Sequence, residues 1–325
     1  MSPPICVVHL VWGPLGVGPL HRFRDSYLRH PAGVEHRLLV LYNGVAAGAD
    51  LADWESELAD VQHELLRTDR PVQDLDAYRY AAERTDADSL CFMNSYSVLL
   101  ADGWLASLAG ALAQPGVGLV GASGSWASMR SLARYDLGLG GPYGGVLERR
   151  SQVRKQLARL ARARSGPDRD GSTPRSPIDK LRVAVRVLEQ TRGFLAFPAA
   201  HVRTNGFLLD RDLLLDLRWP SLRRKAHAHR LESGATGITE QVRARGLQAL
   251  VVARDGAAYP PDRWHLSRTF WQGDQESLMI ADNQTRDYAD GDLEMRAFLS
   301  RYAWGRDADP SGGEPTRRAE LGARS

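Results

Sequence analysis

Short apolar runs alternate with amphipathic stretches from Ile5 to Ala122 at the spacing of βαβ units, which predicts a mainly parallel sheet flanked by helices. Ile5 to Trp12 is the expected first strand. The Gly13 to Pro19 stretch breaks it, and Leu20 to Arg29 reads as a helix. His36 to Tyr42 forms a second strand that stops at Asn43-Gly44, and Val61 to Arg67 a third. Asp74 then caps a helix running through Tyr78, Ala81 and Ala82. Ser89 to Met93 is a buried strand, Gly103-Trp104 begins a helix through Leu108 and Leu112, and Gly118 to Ala122 returns as a strand.

The alternation fails from Gly124 onward. A glycine-rich stretch around Gly138 to Gly145 precedes a basic helical segment from Arg149 to Arg164, and Ser165 to Pro177 reads as a mobile loop. Regular structure resumes at Val202 to Asp210, with a helix from Ile238 to Arg245 and a strand from Leu247 to Ala253. Four regions follow: a ligand-binding half (1–123), a glycine-rich and basic insertion with its linker (124–200), a second half with a C-terminal helical or loop lid (201–305), and a disordered polar tail (306–325).

Composition narrows the possibilities. The chain has 325 residues, 42 Lys+Arg against 39 Asp+Glu, and a net charge of +3, which is too small to suggest a nucleic-acid partner. No apolar run reaches roughly 18 residues, and the first twenty residues lack the pattern of a secretory signal, so a cytoplasmic protein is expected. Cys6 and Cys91 sit inside apolar runs with no metal-ligand partner at zinc spacing, and read as buried free thiols of a reducing compartment.

In an open parallel sheet, ligands bind outside the carboxyl ends of the strands. The polar residues at those ends are Asn43-Gly44, then Asp74 and Asp76 at the helix start, then Asn94-Ser95-Tyr96-Ser97. Each can hydrogen-bond a base, a ribose or a phosphate.

The order of these elements, with Leu90-Cys91-Phe92-Met93-Asn94-Ser95-Tyr96-Ser97 followed by Gly103-Trp104-Leu105, resembles the donor-binding half of GT-A glycosyltransferases, especially the family-2-like group. The resemblance implies a GT-A-like α/β fold with a Rossmann-type sheet and an inverting transfer of a sugar from a nucleotide-sugar donor to a polysaccharide, glycolipid or small-molecule acceptor. It places Asn43, Gly44, Asp76 and Asn94 to Ser97 on the donor. That family carries Asp-x-Asp where this chain has Asn94 and Tyr96. Neutral oxygens hold Mg²⁺ or Mn²⁺ weakly, so a metal-independent enzyme with basic or hydroxyl donors on the diphosphate is the favoured expectation, and an Mg²⁺ or Mn²⁺ ion held weakly, mainly by the donor diphosphate and one other side chain, is the alternative.

The same resemblance extends to the second half. Thr204 and Asn205 would face the acceptor sugar, and Glu232, in a loop before the Thr239 to Arg245 helix, would be the general base. Trp264 to Glu276 resembles a lid, with Trp264 and Trp271 stacking on sugar rings and His265 and Arg268 meeting the diphosphate; a helical cap whose indoles fill the core is the alternative. The helix at 149–164 has the character of a segment lying on an anionic membrane surface, which would put the protein at the inner face of the membrane beside a lipid-linked acceptor. Two other readings compete: a non-catalytic sugar-nucleotide or glycan-binding protein, and a dehydrogenase. The latter is disfavoured by the G-x-x-G-x-G spacing of Gly13, Gly16 and Gly18.

Overall fold

A computed structural model describes residues 5–45, 51–136, 185, 191–222 and 225–310. The strands are β1 (Ile5–Trp12), β2 (Arg37–Asn43), β3 (Glu64–Arg67), β4 (Ser89–Met93), β5 (Val98–Leu99), β6 (Val117–Gly121), β7 (Gly124–Ser125), β8 (His201–Val202), β9 (Phe207–Asp210), β10 (Gln248–Val252), β11 (Ala258–Tyr259) and β12 (Ile280–Ala281). The helices are α1 (Gly18–Arg29), α2 (Ala52–Glu57), α3 (Asp74–Ala82), α4 (Trp104–Leu112), α5 (Met129–Asp136), α6 (Arg211–Asp216), α7 (Lys225–Ser233), α8 (Ile238–Ala244), α9 (Asn283–Ala289) and α10 (Leu293–Trp304).

Eight strands form one sheet in the order β11-β10-β6-β9-β4-β1-β2-β3. Pairing is parallel from β4 through β1 and β2 to β3, and between β10 and β6. Period-2 alternation explains how one strand serves two cores. Cys6, Val8 and Leu10 of β1 join the cluster with Tyr78 and Phe92, whereas Val7 and Val11 join the cluster with Phe23 and Trp104. The sheet is thus covered by helices on both faces, the mainly parallel α/β architecture expected from the sequence. Cys6 and Cys91 are buried free thiols, and burial pushes the Cys6 thiol up to about 11.

One strand departs from the parallel pattern in a way that matters for the site. β9 lies antiparallel between β4 and β6, so its amino-terminal end meets the carboxyl ends of its neighbours. The expected continuous run from Val202 to Asp210 is in fact two strands, β8 and β9, separated by Arg203 to Gly206. Gly206 takes φ +66°, and a side chain there would collide with Ile280 and Ala122, so the break needs glycine.

Other expectations are corrected. The third strand starts at Glu64, not Val61. Asp74 is the first helical residue of α3 and does not cap it; Gln73 holds the cap position without a side-chain bond. Glu232 lies in the last turn of α7 and not in a loop. The segment following Gly305 is anchored as far as Asp309, whose carbonyl accepts from Gly273 N–H (2.7 Å) and whose N–H donates to Gln272 Oε1 (2.9 Å). The glycine-rich stretch around 138–145, the basic segment at 149–164, the loop at 165–177 and the tail beyond 310 lie outside the described residues. No helix among the described residues is long and apolar enough to cross a membrane.

Candidate functional site

The carboxyl ends of β1, β2, β4 and β6 and the start of β9 converge on one edge of the sheet. Here Trp12 ends β1, and its N–H donates to Ser95 Oγ (2.9 Å), tying the first strand end to the turn after β4. That turn is closed by its own side chains. Asn94 Oδ1 accepts from Tyr96 N–H (2.9 Å) and from the Ser97 hydroxyl (3.4 Å), and Ser97 also donates to Asn205 Oδ1. Asn205 Oδ1 in turn accepts from Asn94 N–H at 3.4 Å. The structure thus brings Asn94, Tyr96 N–H, Ser97 and Asn205 into one hydrogen-bonded group, and Ser95 ties the turn to Trp12. Asn205 is buried, and its Nδ2 has no partner among the described residues.

Next to this neutral group lies a charged one. Arg203, buried, donates to Asp282 Oδ2 at 2.6 Å and to Ser123 Oγ at 3.2 Å, and its guanidinium sits 4.1 Å from the Phe270 ring centre. Asp282 also closes a capping box with Thr285 at the start of α9. Burial opposes the Asp282 charge, but Arg203 and the α9 backbone outweigh it and hold the carboxyl below its usual range.

Glu232 is fixed from across the chain. Its Oε1 accepts from Thr204 N–H (3.1 Å) and from Thr204 Oγ1 (2.7 Å), while Oε2 is 3.8 Å from His229 Nδ1. Burial works to raise its pKa; His229, His201 and Thr204 overcome that and hold it well below the ordinary 4.5. An imidazole exerts its charge only when protonated, so this lowering is strongest in acid. A quarter of the Glu232 side chain (25%) remains exposed, and it borders a narrow recess of about 50 Å³ together with His201, Arg203, His229, Trp271 and Tyr302. Solvent reaches Asp74 at the start of α3, yet the protein crowded around it and, next, the Glu232 charge raise its carboxyl pKa, with Lys225 opposing.

Several sequence-derived candidates are engaged otherwise. Asn43 is fully buried, and its amide bonds to both the N–H (3.0 Å) and the carbonyl (2.9 Å) of Val72, with Thr68 Oγ1 at 3.1 Å, so it braces the 68–72 segment and offers nothing to a ligand. Gly44 takes φ +73° beneath the Trp12 indole, where any side chain would collide. Asp76 Oδ1 accepts from Trp219 Nε1 at 3.1 Å, and burial raises its carboxyl.

Trp264 is wholly buried, with its Nε1 bonded to the Tyr259 carbonyl (2.8 Å). It fills the core and has no face to stack on a sugar. Arg268 is paired with Glu276 and, at 3.1 Å, with Asp309, so its guanidinium is already engaged by two carboxylates. His265 packs on Trp126, and burial lowers its pKa. Trp271 is buried but reaches the recess beside Glu232, with Nε1 held by the Gln284 carbonyl (3.0 Å). The segment from Trp264 to Glu276 is thus a packed cap. A cavity of about 640 Å³ bordered by Trp126, Phe197, Arg243 and Arg306 contains none of the sequence candidates.

The residues that sequence reasoning passed over are Arg203, His201, His229 and Arg286. Arg203 directly precedes the Thr204-Asn205 pair, the only local sign of it. His201, on β8, lies three positions before Thr204, and His229 and Arg286 are brought in by α7 and α9 from more distant parts of the chain.

A divalent metal does not fit these residues as protein ligands. Among the described residues no three His, Cys, Asp or Glu side chains are placed to hold one ion. The Asn94 oxygen is spent on its own turn, and the Tyr96 carbonyl accepts from Arg286 Nη1 at 3.1 Å.

No protein-family model matches the chain, and no curated protein matches its sequence. Solved structures similar to it include a mannosyltransferase from Pyrobaculum calidifontis in complex with GDP-Man and Mn²⁺, at 14% identity over 82% of this chain and 60% of that one, with a TM-score of 0.43. Glucosyl-3-phosphoglycerate synthase from Mycobacterium tuberculosis, with Mn²⁺, UDP and phosphoglyceric acid, matches at 17% identity over 74% of this chain and 62% of that one, TM-score 0.35. GalNAc-T7 with UDP, GalNAc and Mn²⁺ matches at 14% over 37% of this chain and 23% of that one, TM-score 0.31. The chain spans less than two thirds of the length of each. Identities this low and TM-scores under 0.5 leave the chemistry to the chain's own residues.

Proposed function

We propose that the protein is a glycosyltransferase that takes a sugar from a nucleotide-sugar donor and passes it, with inversion, to a hydroxyl of a polysaccharide, glycolipid or small-molecule acceptor. The observation that carries the reading is the setting of Glu232. Its carboxylate is oriented by two Thr204 donors on one oxygen and faces His229 Nδ1 (3.8 Å) with the other, beside an aromatic-rimmed recess, next to the polar strand ends of a mainly parallel sheet.

In this reading the donor lies over the ends of β1 and β4, along the Asn94–Ser97 turn. The acceptor oxygen attacks the anomeric carbon, the bond to the diphosphate breaks with its electron pair on the leaving group, and Glu232 Oε2 takes the acceptor proton. Thr204 keeps the carboxylate in one rotamer, so the entropy of orienting the base is lost on folding and not during the reaction. Donor binding depends weakly on divalent metal, because no carboxylate stands at the Asn94 turn.

A thermal-shift screen against nucleotide sugars, with and without Mn²⁺, followed by measurement of released nucleoside diphosphate, tests the reading. Binding to the folded state raises the melting temperature. If no nucleotide sugar does so, and none is turned over, the proposal fails. Binding without transfer or donor hydrolysis would instead support a non-catalytic sugar-nucleotide-binding protein, the reading that the neutral Asn94 turn favours.

A further inference from the structure

Resting on that donor-site reading, we infer that Arg286, with Arg22 beside it, binds the donor diphosphate and supplies the positive charge that the neutral Asn94–Ser97 turn lacks. The turn brings no charge of its own: Asn94 Oδ1 accepts from Tyr96 N–H and the Ser97 hydroxyl, and Ser95 Oγ accepts from Trp12 N–H. Arg286 Nη1 donates to the Tyr96 carbonyl (3.1 Å), which pins a guanidinium against that turn. One nitrogen anchors the group, and the rest of the fork remains for phosphate oxygens.

The charges around Arg286 support the assignment. Arg286 and Arg22 border a recess of about 480 Å³ between α1 and α9, within the size range of small-ligand sites of roughly 300–1,000 Å³. Neither arginine enters an ion pair among the described residues, whereas the acids on the rim are already matched: Asp25 with Arg24 (3.0 Å) and His21 (3.2 Å), and Asp274 with Arg296 (2.5 Å). Asp282, four positions before Arg286, is bound to Arg203 at 2.6 Å. Desolvation first, and then the like charge of Arg22, push the Arg286 pKa down against the pull of Asp282, Asp287 and Asp290. A half-buried cation facing a second one is an arrangement that a multiply charged anion relieves.

The test is calorimetric titration of the full chain with UDP and GDP in EDTA, with uridine and guanosine as controls. The wild type is expected to bind at least one of the diphosphates without metal. Arg286→Gln should weaken that binding by about tenfold or more, at unchanged melting temperature and unchanged nucleoside affinity. Arg286→Lys should restore part of the loss, and added salt should weaken wild-type binding more than that of the Gln variant. Wild-type affinity in Arg286→Gln, or a wild type that binds only when Mn²⁺ is added, overturns the inference but leaves the glycosyltransferase reading standing. Failure of UDP and GDP, and then of ADP, CDP and dTDP, to bind with or without Mn²⁺ overturns both. Should Arg286→Gln not fold, Arg22→Ala on the exposed face of α1 decides the matter, and unchanged diphosphate affinity there would refute the paired site.

Discussion

Two segments meet at the edge of the sheet, the Asn94–Ser97 turn after β4 and the Arg203–Asn205 segment before β9, and they are built on opposite plans. The first is neutral and bonds largely to itself, Asn94 to Tyr96 and Ser97. The second is charged or charge-bearing and bonds to partners far along the chain, Arg203 to Asp282 79 positions away and Thr204 to Glu232 28 positions away. An uncharged amide is satisfied by the nearest backbone N–H, so a short local turn suffices. A buried guanidinium or carboxylate is stable only with an opposite charge or several donors around it, which a local turn does not provide. The difference teaches where the chemistry is concentrated: the turn shapes the ligand edge, and the long-range pairs carry its charge.

The strongest way to break this comparison is at the charged end. Glu232→Gln should lower turnover by about 10²- to 10⁴-fold while leaving donor affinity nearly intact, because the base acts on the acceptor. Near-wild-type turnover would show Glu232 to be only a structural acceptor for Thr204. If Asp274→Asn proved the damaging change instead, the role of base would move there.

The ion pair beneath the site should come next in size. Asp282→Ala strands the buried Arg203 charge and opens the α9 cap, and is expected to cost about 3–5 kcal/mol in denaturant unfolding. The double change Arg203→Met with Asp282→Leu should recover part of this. A single variant as stable as wild type would mean the pair is not desolvated.

A third test uses a buried base outside either segment. His9 stacks on Phe23 with ring centres 3.6 Å apart, neither ring nitrogen has a partner among the described residues, and burial lowers its pKa to about 3. The unfolded chain takes up a proton near pH 6.5 and the folded one does not, so stability falls as pH drops from 6.5 towards 3, by at most about 1.4 kcal/mol per unit. His9→Leu should remove that slope, so its advantage in melting temperature grows between pH 7 and pH 5. An advantage equal at both values would contradict the buried neutral imidazole. Glu232 acts over a lower range: its depressed carboxyl adds stability that is present above pH 4.5 and is lost as pH falls towards the native value.

The smallest expected effect lies in the neutral turn. Asn94→Asp keeps the acceptor for Tyr96 N–H, so stability should change by less than about 1 kcal/mol. The new carboxylate would compete for Arg286 and weaken UDP or GDP binding in EDTA by up to about fivefold. Tighter binding in EDTA would contradict the role given to Arg286.

The sequence by itself determined the framework. Alternating apolar runs marked β1, β2, β4, β6 and β10, because period-2 burial on both faces of a sheet leaves a direct trace in the residue order. It also marked the strand-end turn at Asn94, since such a turn bonds to itself. It did not reveal that α7 is a helix, because Lys225–Ser233 buries only Leu231 and shows no apolar stripe. Nor did it tell a core-filling indole from a ligand-facing one: Trp264 and Trp271 lie seven positions apart in one aromatic-rich segment, yet only Trp271 reaches the recess. Tertiary structure alone decided that Asn43 is consumed by the 68–72 segment, that β9 runs antiparallel and so delivers Arg203 and Thr204 to the carboxyl edge of the sheet, that Asp282 and Glu232 meet them there, and that Arg286 reaches the Tyr96 carbonyl. Those outcomes depend on which distant groups share a desolvated space, and no local pattern of residues encodes that.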